Sequence, residues 1–105
     1  MNKAVKIFSK NLDRIYTSCK ISSRSLRLKY IPLAYLKTLI DLSKENKITD
    51  VESKEAILIQ ENYFKLLDTI YKTCEEGAAK IGIDGVPFFY LKNIIKICKT
   101  NMNNG

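Results

Sequence analysis

Three thiols, two carboxylate pairs and a run of cations are the side chains of this 105-residue sequence whose types and spacing could carry chemistry. The thiols are Cys19, Cys74 and Cys98. Their number is odd and no CxxC pair occurs, so neither a closed disulfide framework nor a zinc knuckle is indicated. Each falls on the apolar stripe of its segment, which predicts buried, reduced, structural cysteines. That predicts a cytoplasmic or other reducing intracellular compartment. The sequence has no histidine, which removes the commonest general acid/base and every Ser–His or Cys–His nucleophile. The carboxylates pair at Glu52/Glu55 and Glu75/Glu76. Those pairs fall at the two ends of one long helical pattern, where capping and solvation account for them. Glycosidic acid/base work needs two carboxylates across a cleft. Neither a phosphate-binding loop nor a dinucleotide fingerprint occurs. The expectation is a binding protein rather than an enzyme, with no catalytic residue, no metal and no cofactor.

The cations are the remaining candidate. The formal charge is +7, unevenly spread. Residues 1–48 carry +8, residues 49–86 carry −4, and residues 87–105 carry +3. This asymmetry predicts a basic face and an acidic face. Lys3, Lys6, Lys10 and Arg14 run along one side of the first helical segment, followed by Lys20, Arg24, Arg27 and Lys29. Arginine grips phosphate bidentately, and Tyr30 or Tyr35 can stack on a base. These eight residues are the expected anion-binding set. The expected partner is an anionic macromolecule, RNA or a ribonucleoprotein first, or else an acidic protein surface. The same charges can also serve solubility alone. The alternative function is a protein–protein interaction module such as an inhibitor, immunity protein or adaptor. It would work through Phe88, Phe89 and Tyr90.

Periodicity supplies the elements that must position these groups. Val5, Phe8, Leu12, Ile15 and Cys19 step by three and four, predicting a basic amphipathic helix over 2–21. Three serines then break the pattern, and Leu26, Leu28 and Tyr30 alternate as in a short strand or extended link. Pro32 opens a helix over about 33–45, closed by Asn46-Lys47. Thr49 and Glu52 form a capping box ahead of a long helix over 50–76, ended by Gly77 or Gly82. Residues 82–87 have turn chemistry. The segment 87–99 has a helical stripe, although Val86–Leu91 also suits a strand.

The expected fold is all-α, a small antiparallel bundle of about four helices. The alternative is a small α+β fold with a short strand near 86–91. Residues 1–99 form one domain, and the polar tail 100–105 frays. No internal repeat, sustained heptad or linker is evident. No apolar run reaches the roughly 20 residues that span a bilayer, so integral membrane association is not expected. Lys10, Asp13 and Arg14 interrupt any signal-peptide core.

Residues 78–93, AAKIGIDGVPFFYLKN, carry three resemblances. Ile83, Gly85, Val86, Pro87, Phe89 and Leu91 resemble the segment around the cis-proline of thioredoxin-like proteins. Where that family has its redox pair, this sequence has Ser43-Lys44-Glu45-Asn46. Ala78, Ile81, Gly82, Ile83, Phe88 and Leu91 resemble a helix-turn-helix core. That resemblance implies a recognition helix presenting Gly85, Val86, Pro87, Phe89 and Tyr90, which are poor readers of base edges. Gly82-Ile83-Asp84-Gly85 resembles the turn before the last segment of small bacteriocin immunity proteins. The reading beside all three is an interhelical turn.

Overall fold

Four helices and two three-residue strands make up the chain in a computed structural model, which describes residues 3–45 and 54–104. Helix α1 is Lys3–Ser25, strand β1 is Tyr30–Pro32 and helix α2 is Leu33–Glu45. Helix α3 is Lys54–Lys80, strand β2 is Gly85–Pro87 and helix α4 is Phe88–Asn104. This is the predicted four-helix bundle with a very small sheet added. The capping box at Thr49 and Glu52 and the stop at Asn46-Lys47 lie outside the described residues.

The stripes read from the sequence form the core. Phe8, Leu12, Ile15 and Cys19 of α1 are buried, as are Leu36 and Ile40 of α2. They meet Tyr63, Leu67, Ile70 and Cys74 of α3, and Leu91, Ile95 and Cys98 of α4. Helix α1 packs on α4 and α2 on α3, and α1 also touches α2 and α3. The long helix α3 would measure about 40 Å at 1.5 Å per residue, close to the 43 Å length of the molecule.

The first helix runs past Ile21 to Ser25 because its end is fixed by a turn rather than by the serines. Arg27 takes the left-handed conformation, φ 59°. Its N–H donates to the Arg24 carbonyl at 2.9 Å, and the Leu28 N–H donates to the Ser23 carbonyl at 2.8 Å. That pair of bonds is a Schellman cap. Helix α3 ends in the same way. Gly82 has φ 71°, its N–H donates to Ala79, and the Ile83 N–H donates to Ala78. Gly77 therefore lies inside the helix, and Gly82 is the stop.

The two connections then pair. Strands β1 and β2 are antiparallel, with Tyr30 opposite Pro87, Ile31 opposite Val86 and Pro32 opposite Gly85. Ile31 and Val86 are fully buried. Pro32 and Pro87 bring no N–H and close each strand, and a helix begins at the next residue. Both readings of 86–91 thus hold in part, with a strand through Pro87 and a helix from Phe88. The strand in the first connection begins at Tyr30, later than the alternation from Leu26 suggested. Helix α4 continues to Asn104, beyond position 99.

These features amount to an internal repeat, which corrects the expectation of none. Residue n of the first half corresponds to residue n + 55 of the second, as in Cys19 and Cys74, Pro32 and Pro87, or Tyr35 and Tyr90. The interactions repeat at the same offset. The Asp13 carboxylate takes Lys99 Nζ at 2.9 Å on both oxygens, and Asp68 takes Lys44. Phe8 and Tyr63 are counterparts that stack on each other, with ring centroids 4.3 Å apart and 11° between planes. Exchanging the halves leaves these contacts and the strand register in place, which is the signature of an approximate two-fold axis. It passes between Ile31 and Val86 and between the two stacked rings.

Candidate anion-binding surface

At 100° per residue, Lys6, Lys10, Arg14 and Arg24 fall on the side of α1 opposite Phe8, Leu12, Ile15 and Cys19. All four are exposed. Lys3 opens the helix. Arg27 and Lys29 follow in the exposed turn beyond Ser25. The first helix is 23 residues long, so the row extends for about 30 Å. That is an extended strip rather than one compact cluster. Lys20 stands apart from it: half-buried, its Nζ lies 5.9 Å from the centre of the Tyr16 ring. Among the described residues, Lys6, Lys10, Arg14, Arg24, Arg27 and Lys29 make no ion pair.

The repeat isolates what is particular to this strip. Lys6 has Glu61 as its counterpart, Arg14 has Thr69 and Lys20 has Glu75. Arg24, Arg27 and Lys29 correspond to Ala79, Gly82 and Asp84. The two halves share most of their interior and some surface charges, Lys10 and Lys65 among them, and differ in charge at Lys6, Arg14, Lys20, Arg24, Arg27 and Lys29. Arg27 departs furthest from local preference, because a non-glycine residue at positive φ costs about 1–2 kcal/mol. The second half has glycine there.

A cleft of about 200 Å³ opens beside the strip between α1 and α2, lined in part by Asn11, Arg14, Ser18 and Ser43. Sequence reasoning missed it because it depends on the packing of two helices. The one available signal was the pairing of Asn11, Arg14 and Ser43 with Leu66, Thr69 and Cys98 in the other half.

The aromatic set Phe88, Phe89 and Tyr90 does not form one surface. Phe88 packs against the core. Tyr90 lies on Gly77, where an added Cβ would come within 3.1 Å of its ring. Phe89 points to solvent. Their counterparts behave in parallel, since Tyr35 Oη shares a 2.7 Å hydrogen bond with Ser22 Oγ, the counterpart of Gly77. Gly85 and Val86 are buried at the sheet, so the helix-turn-helix resemblance fails where it would present them outward. The described residues contain no cis peptide and no sheet beyond the two short strands, which sets aside the thioredoxin-like resemblance.

The thiols lie in the interior. Cys19, Cys74 and Cys98 are free and buried. Burial pushes Cys19 up to about 12, and the neighbouring Cys74 adds to the rise. Cys74 is likewise pushed up to about 12 by burial, with Cys98 adding. A thiol held protonated is a poor nucleophile and a poor metal ligand. Burial also pushes the Tyr63 hydroxyl up to about 12, with Ser43 pulling the other way. Among the described residues no group of three or more Cys, Asp or Glu is placed to hold a metal ion, and no helix is long and apolar enough to cross a membrane.

Comparison with known protein families, with curated proteins and with solved structures finds no match to this chain.

Proposed function

We propose that the chain is a non-enzymatic binding protein that docks the basic strip of its first half on an anionic partner. One observation carries this reading. Two halves built on a similar interior differ at solvent-facing positions, where Lys6, Arg14, Arg24, Arg27 and Lys29 of the first half are exposed cations without acidic partners among the described residues and their counterparts are not cations. Charge that served folding would be expected in both halves. The strip's length suits a polyanion, and RNA is the polymer form of that partner.

The repeat also supplies the test. Arg24→Ala, Arg27→Gly and Lys29→Asp install the residues that the other half uses at the same turn, so the fold should accept them. Affinity for a single-stranded RNA is measured by fluorescence anisotropy across a salt series. The intact protein should lose affinity steeply as salt rises, because neutralised phosphates release counterions. The triple variant should flatten the log–log slope by about two, from three lost contacts at roughly 0.7 each. Binding that ignores salt, or that the triple variant leaves unchanged, would sink the proposal.

A further inference from the structure

Because β1 and β2 pair, both turns lie at one end of the bundle. That end carries three large apolar side chains in solvent, two of them the most exposed large apolar residues among those described. Leu26 is 71% exposed, Ile81 is 62% exposed and Phe89, in the first turn of α4, is 75% exposed. Leu26 and Ile81 are counterparts in the repeat. Both halves therefore keep a large aliphatic residue in solvent at the same place, although their neighbours have diverged in charge. Around them stand the exposed cations Arg24, Arg27, Lys29 and Lys80, with Asp84 the one acid of the two turns.

We infer that this end is a membrane-contacting tip, which sets Leu26, Ile81 and Phe89 into the interface of an anionic lipid bilayer while the cations meet its headgroups. The inference rests on the proposed docking of the basic residues on an anion, and it names the partner for their turn end. Apolar side chains beside cations, where no helix among the described residues is long and apolar enough to span a membrane, are the composition of interfacial binding. Leu26 and Ile81 are aliphatic and cannot stack on bases, so RNA gives them no role. They project from two separate helix ends rather than lining one groove. A rigid protein partner would need a recess for each, whereas a bilayer interface receives apolar side chains at any spacing.

The test is co-sedimentation of the full chain with vesicles of phosphatidylcholine alone and of phosphatidylcholine containing about a quarter phosphatidylserine, beside a single-stranded RNA. Two variants accompany it: Leu26→Ser/Ile81→Ser/Phe89→Ser, and Arg24→Ala/Arg27→Gly/Lys29→Asp. Circular dichroism checks that each stays helical. The intact protein should partition onto the phosphatidylserine vesicles and not onto the neutral ones. The serine variant should partition roughly tenfold or more weakly, because the inserted apolar surface is lost, and the charge variant should also weaken. Phosphatidylserine binding that the serine variant retains would overturn the tip. RNA binding without vesicle binding would overturn the lipid assignment and leave the anion-docking proposal standing. Binding to neither would overturn both.

Discussion

The turn at 26–32 and the turn at 81–87 are two solutions to one structural problem. Each ends a helix with a left-handed residue, pairs one buried β-branched side chain across the axis, and starts the next helix after a proline. They differ in what they show to solvent. The first carries Arg27 and Lys29 where the second carries Gly82 and Asp84. Tyr30 and Gly85 show that the difference is also one of shape. A Cβ on Gly85 would come within 2.0 Å of the Tyr30 ring, so one aromatic occupies the space above both counterparts. The lesson is a separation of tasks: the buried features the turns share hold the fold, and the charges that distinguish them are not needed for it.

The comparison can be broken most sharply in the core. Leu12 and Leu67 are counterparts and fully buried. Leu12→Ala and Leu67→Ala should each cost about 2–5 kcal/mol by denaturant unfolding, with similar values. A large inequality would show that one half carries the stability.

Next comes alkaline pH. Burial pushes Cys19 and Cys74 up to about 12 in the folded chain, from 9.0 for an ordinary cysteine. Above pH 9 the unfolded chain therefore releases protons that the folded chain keeps. Stability is full below that pH and falls as pH rises from about 9 towards 12, by up to roughly 1.4 kcal/mol per pH unit for each thiol. Cys19→Ala and Cys74→Ala should each make the fall shallower in urea titrations at stepped pH.

The third expectation turns on a buried hydroxyl. Ser23 Oγ is buried without a partner among the described residues, and its counterpart is Ala78. Ser23→Ala should stabilise by about 1 kcal/mol, since an unpaired buried polar group costs that much or more. Loss of stability would reveal a partner for that hydroxyl. Arg27→Gly should stabilise by about 0.5–1 kcal/mol by relieving the left-handed strain, and Gly82→Arg should destabilise by a similar amount. Thermal melts of the two variants check the opposite signs.

The smallest effect belongs to the ion pairs. Asp13 and Asp68 are more than half exposed in their pairs with Lys99 and Lys44. Asp13→Asn and Asp68→Asn should each cost no more than about 0.5 kcal/mol, and less in high salt.

The helices were legible because their stripes are long. Phe8 to Cys19 and Tyr63 to Cys74 each repeat the helical period several times, and the burial of all three thiols followed from that. The repeat was hidden because its identical residues are scattered singly among differing ones, as Lys29 and Asp84 differ between Cys19/Cys74 and Pro32/Pro87. Three-residue strands are too short to show a period of two, so the bridge could not be read. The cations' exposure was legible from the face they occupy. The inward turn of Phe88 and the seat of Tyr90 on Gly77 were not, because three adjacent aromatics point in three directions at a helix start.

The pairing of β1 with β2 also bears on how the chain folds. Helix α1 touches α2 and helix α3 touches α4 within one half of the chain, but Ile31 and Val86 meet across 55 residues. Closing a loop of that length costs about 3.5 kcal/mol in chain entropy, and burying Ile31 and Val86 returns about 1.5–3 kcal/mol each. The bridge ties the two halves at the turn end, as the packing of α1 on α4 ties them along the bundle.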